Sequence, residues 1–260
     1  MGRYERIEFE RTGDVALIRL NQPDSLNALS TEMCHELLQA FGEAGETSRA
    51  ILLGSRGRAF CAGANIAAID LGDPERDMGA RLESVINPLI KTLRDLPVPL
   101  VTAVRGAAAG VGCSIALMGD IIVAGKSAYF LQAFCNIGLV PDGGSPYLLS
   151  RAIGRVRAME LMMLGERYPA DRAYADGLVT RIVDDEAVDE TALEIAQRLA
   201  GGPTKTFALI RKSAWAALDS DLDAQLNRER QLQRAAGRTR DFVEGVAAFR
   251  TKRKPAFKGE

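Results

Sequence analysis

Short apolar runs alternate with helix-period stretches through about residue 185, and this alternation limits the possible folds more than any other feature. Ala50 to Gly54, Leu100 to Val104 and Asp120 to Ala124 are too short for helices and too uniformly apolar for strands wetted on one face. They read as strands buried on both sides. Ahead of them, Ile7 and Phe9 alternate with Glu8 and Glu10, Thr12-Gly13-Asp14 turns, and Val15 to Leu20 runs apolar, which predicts a hairpin. Ser30 to Phe41 predicts a helix with Ser30 as N-cap and Met33, Leu37, Leu38 and Phe41 on one face. Met78 to Arg94 predicts another, closed by Pro97 and Pro99. The fold class is therefore α/β. From Ala187 onward only helices are predicted: Ala187 to Ala200, Thr204 to Leu218, Leu222 to Ala236 and Asp241 to Phe249. The chain divides into a mixed core, residues 1–200, and a helical C-terminal region, residues 201–260.

Several function classes are disfavoured. The formal charge of −1 creates no global field toward nucleic acid or an anionic membrane, and aromatic residues for base stacking are few. No apolar run reaches the roughly 18 residues of a membrane span. Met1-Gly2-Arg3-Tyr4-Glu5-Arg6 is charged and lacks a signal core. The four cysteines, Cys34, Cys61, Cys113 and Cys135, show neither metal-ligand spacing nor a disulfide framework, which places the chain in a reducing cytoplasm with no metal site. The single histidine, His35, falls off the apolar stripe of its helix and reads as solvated. Triads that need histidine are thus disfavoured, and any acid or base is expected to be a carboxylate.

Two segments carry almost no side chain. Arg58-Ala59-Phe60-Cys61-Ala62-Gly63-Ala64-Asn65 and Arg105-Gly106-Ala107-Ala108-Ala109-Gly110-Val111-Gly112 each follow an apolar run and each precede a predicted helix start, the second at Cys113. Gly110 and Gly112 invite a dinucleotide-loop reading, but Ile115 occupies the place of the third glycine and no acidic residue follows at the required distance. A backbone role remains. Ala64 and Val111 each follow a glycine, and helix N-termini leave N–H groups unpaired. Two such groups aimed at one oxygen would stabilise an enolate. Tight packing of helix on strand explains the same glycines, and the residues alone leave both readings open. Asp142, between Pro141 and Gly143-Gly144, reads on its own as a turn residue.

Taken together, these segments resemble the crotonase superfamily of enoyl-CoA hydratases and isomerases. The likeness spans Leu20-Asn21-Gln22-Pro23 with Asn27-Ala28-Leu29, both small-residue turns, Asp120 to Ala124 and Ile137-Gly138-Leu139-Val140-Pro141. It continues through Gly154 to Leu161, Ala175-Asp176-Gly177-Leu178-Val179 and the terminal Ala248-Phe249 with Lys252-Arg253-Lys254. It implies a spiral of ββα units, a helical C-terminal trimerisation region, and a homotrimer or dimer of trimers. It implies an acyl-CoA thioester substrate and no cofactor beyond the coenzyme A that the substrate carries. By position, the backbone N–H groups of Ala64 and Val111 match the family's oxyanion hole, Ala62 matches the adenine-binding loop, and Leu26 lies along the pantetheine. Phe249 and Lys252 match residues that reach the coenzyme A of a neighbouring subunit.

The departures from the pattern narrow the chemistry. Where hydratases of this family carry two glutamates, this chain has Ser114 and Phe134. Asp142 matches the position at which several isomerases of the superfamily carry their only catalytic acid, so the resemblance reverses the turn reading. The Gln132-Ala133-Phe134 to Pro141-Asp142-Gly143-Gly144 pattern is similar to the ring-opening isomerases of phenylacetyl-CoA degradation and to Δ3,Δ2-enoyl-CoA isomerases. Phe134 then makes the pocket apolar, and residues 66–88 and 145–150 are expected at the acyl end. The expected activity is a double-bond shift by one carboxylate. A hydratase is the alternative, and a non-catalytic acyl-CoA-binding protein is the alternative from another class.

Overall fold

The computed structural model describes residues 4–66, 72–75 and 77–260; residues 67–71 and 76, within the stretch expected at the acyl end, and the N-terminal residues 1–3 lie outside it. The predicted hairpin is present as β1 (Ile7–Thr12) and β2 (Val15–Leu20), paired antiparallel. Helix α1 (Thr31–Thr47) starts where Ser30 Oγ accepts the Met33 N–H at 3.1 Å, and His35 is exposed as expected. It runs past Phe41 to Thr47, because Ala40, Phe41 and Ala44 stay buried against the sheet. Strand β3 (Ala50–Ser55) is buried along its whole length.

The predicted helix at Met78 to Arg94 is interrupted. Leu82–Ile86 forms a π-helical turn before α2 (Asn87–Asp95), and the Asn87 N–H reaches back five residues to the Leu82 carbonyl. Pro88 has no N–H to continue the normal ladder, so a widened turn absorbs the break. Next come β4 (Leu100–Val104), β5 (Ala107–Ala109), α3 (Val111–Ala116), β6 (Ile121–Gly125) and β7 (Tyr129–Leu131). Thus Gly106 to Gly112 is not one turn: its three alanines form a strand, and the helix opens at Val111 rather than Cys113. After α4 (Ser145–Ala152), α5 (Arg155–Leu164), β8 (Tyr168–Pro169), α6 (Ala170–Ala175) and β9 (Arg181–Val183), the remainder is helical. The last four helices are α7 (Val188–Ala200), α8 (Thr204–Ala217), α9 (Leu222–Ala236) and α10 (Arg240–Arg250).

Two sheets result. Six strands lie in the order β1-β2-β3-β4-β6-β9, parallel from β2 onward, and three lie in the order β5-β7-β8. Each of β4 and β6 is followed by a short strand of the small sheet and then by a helical turn, α3 or Ala133–Ile137. This is the ββα repeat. One face of the large sheet packs Ile18, Ile51 and Leu53 beneath α1 and α2; the other packs Leu17, Leu52, Val101 and Val123 beneath α7. Helix α7 presents Val188, Ala192, Ala196 and Ala200, one small residue per turn, so it lies close to the strands. Cover on both faces is why the strand sequences are continuously apolar.

The tail attaches through a charge. Arg211 on α8 is 5% exposed and donates to the carbonyls of Leu93, Arg94 and Leu96 at the end of α2, and to Asp120. It caps that helix end while pairing with the carboxylate. Beyond it, α9 buries no residue, and Leu222, Phe242, Val243 and Phe249 stand exposed. No described helix is long and apolar enough to cross a membrane.

Candidate active site

Both small-residue turns are sewn to one strip of backbone. Cys61 pairs with Ala108 as in a parallel sheet: its N–H donates to Ala107 O at 2.9 Å and its carbonyl accepts from Ala109 N at 2.8 Å. Glycine permits the closeness. A Cβ on Gly106 would fall 2.0 Å from the Arg58 carbonyl oxygen. Gly63, at φ +100°, sits where a Cβ would be 3.1 Å from Ala109 O and 3.7 Å from the Gly110 Cα. This close packing brings the residues after Gly63 and Gly110 to a common place.

Among the described residues no hydrogen bond from the Ala64 or Val111 backbone N–H is found. Leu29 bridges to Ala64 by donating to Gly63 O at 2.7 Å and accepting from Asn65 N at 2.9 Å. In that parallel pattern the Ala64 N–H points away from Leu29. Val111 opens α3, so its N–H has no acceptor within the helix. Both residues line a cavity of about 430 Å3. Buried Asn27, a part of the motif with no role assigned from sequence, supports the first turn: its amide donates to Arg56 O and Ala59 O at 2.8 and 2.9 Å. Its φ of +55° lies in the left-handed region, which Asn tolerates better than most residues.

Asp142 lines the same cavity, as do Ala62 and Phe134. No hydrogen bond to its carboxylate is found among the described residues, and Oδ1 is fully buried. Burial pushes its pKa up to about 6, while the Arg81 guanidinium pulls it the other way. Phe134, 9% exposed, lies against Gly110 and makes that wall apolar, as expected. The carboxyl is thus poised to gain and lose a proton near neutrality. Asp77 also lines the cavity, but it is exposed and its Oδ1 accepts the Gly79 N–H in a local turn. Cys61 and Cys113 are held as thiols, pushed up to about 12 by burial.

Other expected residues lie elsewhere. Leu26 does not line the cavity, although its carbonyl accepts the Ala62 N–H at 2.9 Å. Phe249 and Lys252 are also absent from its wall. Phe249 is 85% exposed and borders a separate groove with Pro203 and Phe257, and Lys252 follows α10 in the left-handed region. Within one chain, then, the α10 end does not reach the site. Of the stretch 66–88, residues Ile66, Asp77, Met78, Arg81, Leu82 and Ile86 line the cavity. None of 145–150 does, because α4 turns away and sends Tyr147 and Leu148 to a second cavity beside Trp215. Arg81 had no sequence signal, since one arginine on a helix reads as surface.

The chain matches the enoyl-CoA hydratase/isomerase family over residues 10–260. It is 42% identical over 250 residues to a 1,2-epoxyphenylacetyl-CoA isomerase of Escherichia coli, covering 95% of each chain. It is 34% identical over 262 residues to a mitochondrial enoyl-CoA hydratase of Pongo abelii, covering 99% of this chain and 89% of that one. Among solved structures, an enoyl-CoA hydratase from Polaromonas sp. JS666 superposes with a TM-score of 0.90 at 32% identity, covering 97% of this chain and 99% of the other.

Proposed function

The chain belongs to the enoyl-CoA hydratase/isomerase family, and we propose that within this family of enzymes it is an enoyl-CoA isomerase working with a single half-buried carboxylate. One observation carries the reading: Asp142 is half-buried with one carboxylate oxygen fully buried, the other described carboxylate on the cavity wall, Asp77, is exposed, and Asp142 shares that cavity with Ala64 and Val111. The thioester oxygen accepts the Ala64 and Val111 N–H groups, which acidifies the α-carbon. Asp142 takes a proton from C2, and the C–H electron pair spreads onto the thioester oxygen as a dienolate. The same carboxyl returns that proton at C4, so the double bond moves from C3–C4 to C2–C3 with no net change in atoms. No metal or redox cofactor is needed, and coenzyme A arrives as part of the substrate.

No hydrogen bond to the Ala62 carbonyl is found among the described residues, which supports a place for the adenine at that loop. The exposed apolar residues of α9 and α10 support assembly as a trimer or dimer of trimers, in which Phe249 and Lys252 of one subunit serve the coenzyme A of the next. Three of the four cysteines are buried thiols, which supports the cytoplasmic placement.

A hydratase is the second reading, because a second carboxylate, Asp77, lines the cavity with Asp142. Membership in a family of enzymes sets aside the non-catalytic binding-protein alternative. The deciding measurement offers the protein 3-enoyl-CoA, 2-enoyl-CoA and aromatic-epoxide CoA thioesters, with Asp142→Asn as control. Rapid conversion of the first or third that Asp142→Asn abolishes is expected. Rapid water addition to crotonyl-CoA, lost in Asp77→Asn, would favour the hydratase.

A further inference from the structure

Among the described residues no hydrogen bond holds the Asp142 carboxylate, so the backbone that carries it matters for its placement. That backbone is held by two buried serines. The Asp142 carbonyl accepts the Ser114 hydroxyl at 3.1 Å and the Ser145 N–H at 3.0 Å. The two serine oxygens are 2.6 Å apart, and both residues are 0% exposed. A hydroxyl has one proton. Ser114 gives its proton to the Asp142 carbonyl, so Ser145 must be the donor in the serine pair. The proton order is therefore Ser145 to Ser114 to Asp142. Gly143, at φ +59°, closes the other side: a Cβ there would lie 2.9 Å from Ser114 Oγ and 3.0 Å from Val111 Cγ2. Ser114 thus ties the acid's loop to α3, the helix whose first residue lines the same cavity.

We propose that Ser145 and Ser114 form a two-hydroxyl tie that sets the distance between Asp142 and the Val111 N–H, making both serines positioning residues for the proton shuttle. The proposal rests on the isomerase reading for its kinetic consequence, but not for its structural one.

Ser114→Ala, Ser145→Ala and the double variant test it, with Ser114→Cys retaining size and a weak donor. Misplacing a reacting group by about 1 Å costs roughly 100-fold in rate. The expected result for Ser114→Ala is kcat down about 10- to 100-fold, with KM for the 3-enoyl-CoA changed less than about threefold. Ser114→Cys should recover part of the loss. The double variant should cost no more than Ser114→Ala alone, since Ser145 acts through Ser114. A 13C-carboxyl NMR titration of Asp142 reads the tie whether or not the isomerase reading holds: in Ser114→Ala its pKa moves down from about 6 as the relaxed turn admits water. Unchanged kcat together with an unmoved titration would overturn the tie, as would strictly additive losses in the double variant. An inactive wild type with a shifted titration would overturn the isomerase reading and leave the tie standing.

Discussion

Gly112 lies against Cys61 so closely that a Cβ on it would fall 2.7 Å from the Cys61 carbonyl oxygen, Cβ and Sγ alike. This contact locks α3 to the first small-residue turn. In Gly112→Ala the turns must separate, because the obstructing atoms include backbone. Overpacking of this kind costs about 1–3 kcal/mol. Thermal unfolding should show that loss, and isomerase kcat should fall at least about tenfold as the two N–H groups lose their common aim.

Replacing the acid should separate activity from stability. Asp142→Asn should lose about 1,000-fold or more in kcat, as loss of the only proton carrier at this site demands. The same variant should be more stable above neutral pH. A carboxyl whose folded pKa lies above its unfolded value binds more protons in the native state, so wild-type stability falls as pH rises from about 4 through about 6. The gain for Asp142→Asn, discounted for partial exposure, is about 1–2 kcal/mol at pH 8 and vanishes near pH 4. Denaturant titrations at the two pH values check it.

Arg81 and Asp142 share the cavity, and the guanidinium favours the ionised acid. Removing it as Arg81→Met should raise the Asp142 pKa further above 6. The acid limb of the pH profile of kcat/KM, expected near 6 in the wild type, should move to higher pH, with the rate recovering on the alkaline side. An unmoved limb would mean that Arg81 acts only through its bond to the Leu29 carbonyl.

Arg211→Met should cost about 3 kcal/mol, because it strands Asp120 and three carbonyls at the end of α2. Burial already raises the Asp120 pKa while Arg211 lowers it, so the loss should shrink as pH falls and Asp120 takes up a proton. Chemical denaturation of the variant across pH reads both effects.

Periodicity by itself determined the α/β core and the helical tail, and glycine placement the two small-residue segments, because those signals are local; that the second segment holds a strand was not legible. Even Ser30 as a cap needed only its neighbours. The break at Pro88 also had a local cause, but its answer, a π-turn, puts Leu82 and Ile86 on the cavity wall, which no local pattern states. Asp142 in Pro-Asp-Gly reads as a turn until packing buries one of its carboxylate oxygens. Resemblance, not residue pattern, singled it out, and only the tertiary structure supplies the desolvation that brings its pKa toward neutrality. Ser114 looks like a missing carboxylate in the sequence and becomes a support for Asp142 in the fold. Local propensity determines elements; which atoms from distant elements meet, and how dry their meeting place is, depends on non-local packing, and there the chemistry of this protein was decided.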